Sequence, residues 1–178
     1  MSTSPAPPQG FEPHFRQSPL TEPWEPIYSQ RTNDRVIIGL YARETHTNSR
    51  GMVHGGLIAA LADNAMGLSC VQVLTAAGRK PEGGLVTVSM ATDFIGAAKL
   101  GQWVAFDTQY VKTGRTLCFA QAFVTADGEV IGRADARFRV LGSRCIVALV
   151  SAVLLQACAS RLPLPEPAAA PRFDTGKP

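Results

Sequence analysis

The sequence predicts an α+β domain in which one long buried helix is wrapped by a curved antiparallel sheet of five to six strands. Three observations carry this. The run from His54 to Ala77 is apolar nearly all round. Beyond it the hydrophobic period shortens from that of a helix to that of a strand and stays there to the end of the domain. The prolines stand aside: seven of the thirteen lie in residues 1–26, five lie in 163–178, and only Pro81 falls between. Proline fixes φ and removes a backbone donor, so a stretch nearly free of it suits helices and paired strands. The domain is therefore placed at 27–142. A Pro-rich leader, expected to be disordered, covers 1–26, and a segment of different character follows at 143–178.

The elements follow in order. A short strand is expected around Pro26 to Gln30. Arg35 to Ala42, reading RVIIGLYA, is rich in β-branched and apolar residues and reads as a second strand. Glu44 to Val53 is polar, with Asn48, Ser49 and Gly51, and reads as a loop. The helix comes next, and an apolar helix of this kind must be buried on most sides. Gly78 supplies a C-cap, with Pro81 shortly beyond. In 85–94, Val86, Val88, Met90 and Phe94 alternate with Thr87, Ser89, Ala91 and Asp93. Strands at 102–112 and 116–126 flank a turn at Lys112-Thr113-Gly114-Arg115. Asp127-Gly128 is a hairpin signal leading into the last strand, 129–141. There Arg133, Asp135, Arg137 and Arg139 share one face, opposite Ala134, Ala136, Phe138 and Val140. Consecutive strands joined by short turns pair antiparallel. Such a sheet has to curve around the apolar helix to cover it.

Composition excludes several function classes. The chain is 46% hydrophobic and 17% charged, enough for a sizeable core in its 178 residues. A net charge of +3 without a Lys/Arg cluster gives no footprint for nucleic acid. Cys70, Cys118, Cys145 and Cys158 form no C-x-x-C pair and three of them sit in apolar runs, so buried thiols in a reducing, cytoplasmic setting are expected, with no disulfide framework. With only His14, His46 and His54 as histidines, neither a metal site nor a cofactor is expected.

The N-terminus has no basic start and no apolar core, unlike a signal peptide. The run from Cys145 to Ala159 is shorter than the roughly 20 residues that span a bilayer, and no membrane partner is expected for the core domain. Arg144 precedes that run, Leu155-Gln156-Ala157-Cys158 resembles a lipoprotein cleavage box, and a Pro-rich tail follows. Two readings stand: a segment foreign to the domain, or a C-terminal helix that docks on it.

Asp63 is the outlier in the helix, the one charged residue between His54 and Arg79. A charge inside a buried helix is costly unless it is paired or functional. Its helical neighbours Ala59, Ala60, Met66 and Gly67 are mostly small, which leaves room for another molecule. Gly55-Gly56 opens the helix directly after His54. The first N–H groups of a helix lack internal partners, and without side chains they can approach an oxyanion or phosphate closely. A plain turn is the alternative. Asn48 in the loop and Thr87 on the next strand could each orient a water or a carbonyl, or simply cap and decorate. His54 is better suited to fixing the loop through a backbone hydrogen bond than to acting as a base. Lys112 and Arg115, at a hairpin turn, could meet anionic groups, as could Arg133, Arg137 and Arg139. Phe94, Trp103, Phe106 and Met66 could line an apolar pocket, although core packing suits each of them equally.

Taken together, Asn48-Ser-Arg-Gly-Met-Val-His54-Gly55-Gly56, Asp63 on the helix, Leu85-Val-Thr87-Val-Ser-Met, Ala98-Lys-Leu-Gly101 and Gly114-Arg-Thr-Leu117 resemble the hotdog-fold acyl-CoA thioesterases. The pattern N-x5-HGG-x6-D is similar to the phenylacetate-pathway type, and the resemblance covers about residues 34–142. It implies a helix wrapped by a sheet, a homodimer or homotetramer, and acyl-CoA as substrate. By position it implies Asp63 as the catalytic carboxylate, Gly55 as the oxyanion donor, and Asn48 and Thr87 as groups that orient thioester and water. His54, Gly56, Lys112 and Arg115 would serve substrate binding. Threonine stands where some relatives carry serine. Residues 1–26 and those after Gly142 have no counterpart in the resemblance.

Geometry asks for two chains. Asp63 is eight residues beyond Gly55, so the two lie roughly 12 Å apart along one helix. Both must come within about 3 Å of the reacting group, which antiparallel helices from two copies would allow. The alternatives are a hotdog dehydratase or hydratase, disfavoured by the absence of histidine inside the helix, and a non-catalytic acyl-CoA-binding module. The acyl group, medium-chain or aryl, is not fixed by the sequence.

Overall fold

The computed structural model describes residues 5–142. The expectations for 143–178 lie outside the described residues. Seven strands form one antiparallel sheet: β1 (Glu12–Pro13), β2 (Tyr28–Arg31), β3 (Val36–Tyr41), β4 (Leu85–Phe94), β5 (Trp103–Thr113), β6 (Leu117–Ala126) and β7 (Glu129–Val140). Their order in space is β1-β2-β3-β5-β6-β7-β4, which leaves β4 with a free edge among the described residues. The helix α1 (Gly55–Ala76) lies between β3 and β4 in sequence and packs in the concave face of the sheet. This is the predicted α+β architecture, with one strand more than the six read from the sequence.

The extra strand is β1, and it corrects the reading of the leader as disordered. Glu12 and Pro13 pair with Ser29 and Tyr28 of β2. The His14 N–H donates to the Ile27 carbonyl at 2.9 Å. Phe11 sets its ring edge-on against Trp103 at 5.0 Å, and Trp24 packs on the core. Proline is compatible with this because β1 is an edge strand, where a missing donor costs no ladder bond.

The core is filled from both layers. Leu61, Ala62, Ala65, Met66, Cys70 and Leu74 of α1 are buried against Ile38 and Leu40 of β3, Val104 and Phe106 of β5, Val124 of β6 and Phe138 of β7. By length and hydropathy α1 is, among the described residues, the one helix that could cross a membrane, yet here its apolar surface is the centre of the domain. Cysteines 70 and 118 are both buried free thiols, as expected.

Curvature comes from three irregularities in the ladders, between Thr87 and Ser89, Thr108 and Tyr110, and Val124 and Thr125. An extra residue bends its strand and adds twist, which lets the sheet close around a helix. The β6–β7 hairpin turns on Asp127 at φ 48° and Gly128 at φ 91°, the left-handed pair that a two-residue hairpin demands. The Arg-rich face of β7 is the outer one. Arg133 pairs with Asp93 at 2.8 Å and Arg137 donates to Ser89 Oγ at 3.1 Å.

Candidate active site

The irregularity in β4 decides where Thr87 points. Simple alternation groups Thr87 with Ser89, Ala91 and Asp93. In the structure Ser89 lies opposite exposed Arg137, whereas Thr87 lies opposite buried Phe138 and Met90 opposite buried Ala136. The bulge at Val88 thus turns both Thr87 and Met90 toward the helix. Thr87 Oγ1 then donates to Asp63 Oδ1 at 2.7 Å.

Asp63 is half-buried rather than enclosed, because its side of α1 faces the unpaired β4 border of the sheet. Ala60 and Gly67, one turn away on either side, leave an open cleft of about 380 Å³ that Asp63, Asn64 and Thr87 line together with Leu68, Leu85 and Phe138. Solvent therefore reaches the carboxylate. Thr87 Oγ1 is the one recorded hydrogen-bond partner of its side chain among the described residues, so acceptor capacity is left for a water.

The start of the helix is built by two histidines. His54 is the N-cap, and its Nδ1 accepts the Gly56 N–H at 2.8 Å. The Gly56 N–H is thereby committed to the cap and does not present a free donor. Through this bond His54 fixes the turn. The Gly55 N–H, first in the helix, has no partner within it and donates to no acceptor in the neighbouring loops among the described residues. The Phe94 ring lies beside Gly55, where an added Cβ would sit 3.3 Å from it. Behind the turn, the His54 N–H donates to the His46 carbonyl at 2.8 Å. His46 is 1% exposed, its Nδ1 accepts from the Arg43 N–H at 3.0 Å, and its Nε2 meets the Trp24 carbonyl at 3.0 Å. With Nδ1 accepting, Nε2 carries the proton. Sequence reasoning missed His46: nothing in the composition of a polar loop distinguishes a packed histidine from a solvated one.

Asn48 organises the loop before the helix. Its Oδ1 accepts from Arg50 N–H at 2.9 Å and Met52 N–H at 3.4 Å, while its own N–H donates to the Met52 carbonyl at 2.8 Å. With the oxygen so used, the side-chain NH2 is the end left to act on a ligand.

Other candidates lie elsewhere. Lys112 stands opposite Phe119 on the outer face of the sheet, in a separate hollow with Tyr110 and Arg137, and Arg115 is exposed in the β5–β6 turn. Within one chain neither joins the Asp63 cleft. Met66 and Phe106 are wholly buried core, and Trp103 fills the space over Gly39. Among the described residues no cluster of His, Cys, Asp and Glu has the makings of a metal site.

A curved sheet around a single helix, with a carboxylate facing a cleft and a Gly-rich helix start, is the construction of the hotdog thioesterases. Residues 50–132 match the thioesterase superfamily. A Pseudomonas aeruginosa protein named as an esterase is 33% identical over 134 residues, which is 75% of this chain and 96% of that protein. Human acyl-coenzyme A thioesterase 13 is 35% identical over 103 residues, 56% of this chain and 68% of the relative. Among solved structures, the phenylacetic acid degradation protein PaaI of Thermus thermophilus, as a point mutant, superposes with a TM-score of 0.60 at 20% identity, covering 70% of this chain and all (100%) of that one. A Streptococcus pneumoniae thioesterase with coenzyme A gives 0.58 at 23% identity over 67% and 91% of the two chains. The chain belongs to the thioesterase superfamily and is a thioester hydrolase of hotdog fold.

Proposed function

We propose that the protein hydrolyses acyl-CoA thioesters to free acid and CoA, with Asp63 as base or nucleophile and the Gly55 N–H as oxyanion donor from a second copy. The observation that carries this reading is the pair of Asp63 and Thr87, hydrogen-bonded at 2.7 Å on the wall of an open cleft. A charged group on the central helix of a hydrophobic core is retained at a stability cost, which a half-buried carboxylate reached from a cleft explains and a packing role does not. Human acyl-coenzyme A thioesterase 13 and the coenzyme A-bound S. pneumoniae protein support the choice of acyl-CoA.

The free Gly55 N–H polarises the thioester carbonyl, and the Asn48 amide assists it. Asp63, oriented by Thr87, either takes a proton from water as that water attacks the carbonyl carbon, or attacks directly to form an anhydride that water then opens. In both routes the C–S bond breaks and CoA leaves as a thiolate. A thiol pKa of about 8.5 makes it a good leaving group without a strong general acid. That suits a cleft in which, among the described residues, no histidine stands beside the carboxylate.

Two equivalent sites form per homodimer, because Gly55 and Asp63 of one helix are about 12 Å apart and cannot meet at one carbonyl. The free edge of β4, with Val86, Val88 and Phe94 exposed along it, is the side on which a second copy would join. Pairing of two such dimers would give a homotetramer. The acyl group is medium-chain or aryl. Thiol release from a panel of acyl-CoA thioesters tests the reading: turnover is expected in the wild type and lost in Asp63→Asn with fold and binding intact. Binding without turnover in the wild type would make the domain a carrier instead.

A further inference from the structure

The cleft beside Asp63 has a second wall, supplied by residues that the thioesterase resemblance does not cover. Arg16, Ser18, Leu20 and Thr21 of the leader line it together with Asp63 and Thr87. The leader holds this position because both of its ends are fixed. On one side β1 pairs with β2, and the Arg31 guanidinium lies over the Phe15 ring at 4.8 Å. On the other side the Trp24 and Glu25 carbonyls are held by His46 and by the Arg43 guanidinium. Between these anchors, Ser18 and Thr21 close a turn, with Thr21 N–H donating to the Ser18 carbonyl at 3.0 Å. A strap pinned at two places and bridged by an internal turn is a built wall.

Arg16 is the one cation on that wall. It and Asp63 are the only charged residues that line the cleft, and Arg16 has no ion-pair or hydrogen-bond partner among the described residues. It forms no salt bridge with Asp63, so its five N–H donors are free. A guanidinium fork matches a carboxylate in geometry and charge. Leu20, Leu68, Val71 and Leu85 line the same cleft and offer apolar contact for a short chain.

We propose that Arg16 selects the acyl group, favouring acyl-CoA thioesters whose acyl chain ends in a carboxylate. This inference rests on the hydrolase reading of Asp63. The anion on Arg16 has two sources in such a substrate, the far end of the acyl chain or a CoA phosphate. Cleft size decides for the acyl end: Arg16 and Asp63 share a volume of about 380 Å³, whereas the whole pantetheine arm separates the thioester from the phosphates.

The test uses the full chain and chain-matched ligands, adipoyl against hexanoyl. Uncleavable thioether analogues of both are measured for binding, so that recognition is read whether or not turnover occurs. Wild type is expected to bind the carboxylated analogue at least about tenfold more tightly than the neutral one, and Arg16→Gln to abolish that ratio. The ratio is expected to persist on pantetheine analogues that lack the phosphates. Equal binding of both analogues by the wild type overturns the proposal. So does an Arg16→Gln defect shared by both CoA analogues and absent on pantetheine, which would assign Arg16 to the phosphates. Thiol release from the cleavable thioesters is recorded in parallel: its absence overturns the hydrolase reading, while the binding ratio still judges Arg16.

Discussion

Thr87 Oγ1 and Asp63 Oδ1 meet at 2.7 Å although 24 residues separate them, and the contact exists because β4 bulges at Val88. A threonine hydroxyl that donates to a carboxylate holds it in one rotamer and leaves the other oxygen toward the cleft. Asp63→Asn is expected to lower kcat by about 10²- to 10⁴-fold, the range for loss of a positioned base. Thr87→Val keeps the shape and removes the donor, and should cost about ten- to a hundredfold. Thr87→Ser restores the hydroxyl and should recover most of the rate. Steady-state thiol release with a folding check by circular dichroism reads all three. Equal activity of the valine and serine variants would remove Thr87 from the reaction.

Gly55→Pro offers a clean deletion of the oxyanion donor. Proline is tolerated at the first position of a helix, where the N–H has no helical partner. His54, with φ −69° and ψ 131°, already has the extended backbone that a residue before proline adopts. With the exposed Phe94 ring giving way to the added carbons, the variant should fold and lose about 10²- to 10³-fold in kcat, the usual cost of one oxyanion donor. Mixed with Asp63→Ala and reassembled, it should regain activity, since one of the two shared sites would carry both intact groups. Verified mixed dimers with no recovery would place each site within one chain.

Most of the fold was legible, and the reasons are physical. The helix at Gly55–Ala76 shows itself by its length and apolar run, and β5, β6 and β7 by alternation that the solvent boundary enforces. The leader was misread because proline content says where a chain lacks donors, not whether Phe11 and Trp24 have something to pack on. For the site, Asp63 and Gly55 stood out because each breaks the composition around it. The facing of Thr87 was not legible, since a bulge shifts register without a residue-type signature at Val88. The commitment of Gly56 to His54, and the remoteness of Lys112 from the cleft, depend on side-chain direction and on which sheet face the strand presents.

Ser69 ties α1 to the start of β3. Its Oγ donates to the Ala65 carbonyl at 2.7 Å and accepts the Val36 N–H at 3.0 Å, all of it buried. Ser69→Ala leaves that backbone donor unsatisfied in the core, which costs about 1–3 kcal/mol. Urea denaturation should show a lower midpoint with an unchanged slope. A variant as stable as the wild type would mean that the Val36 N–H finds another partner.

The two buried thiols face each other across helix and sheet. Burial and the neighbouring Cys118 push the Cys70 thiol up to about 12, and burial raises Cys118 as well. The thiolate is the reactive form, so both should resist a disulfide reagent at pH 8 in the native state and react fully in denaturant. Labelling sites are read by peptide mass spectrometry. Rapid native labelling of Cys70 or Cys118 would show that this part of the core opens.

Acid should loosen the anchors of the leader. Burial lowers the pKa of His46, against the opposing pull of its bond to the Trp24 carbonyl, and burial with the nearby Arg16 lowers that of His14. Both are therefore neutral in the fold, while in the unfolded chain they protonate at about 6.5. Below that pH the unfolded state binds more protons than the folded one, so stability is whole above pH 6.5 and declines as the pH falls, until the folded histidines themselves protonate. The slope has a ceiling of about 1.4 kcal/mol per pH unit for each histidine. His46→Asn keeps an acceptor for the Arg43 N–H and removes the titration, so its urea midpoint should fall less steeply between pH 7 and pH 5 than that of the wild type. Parallel slopes for the two proteins would show that His46 carries no part of the acid sensitivity.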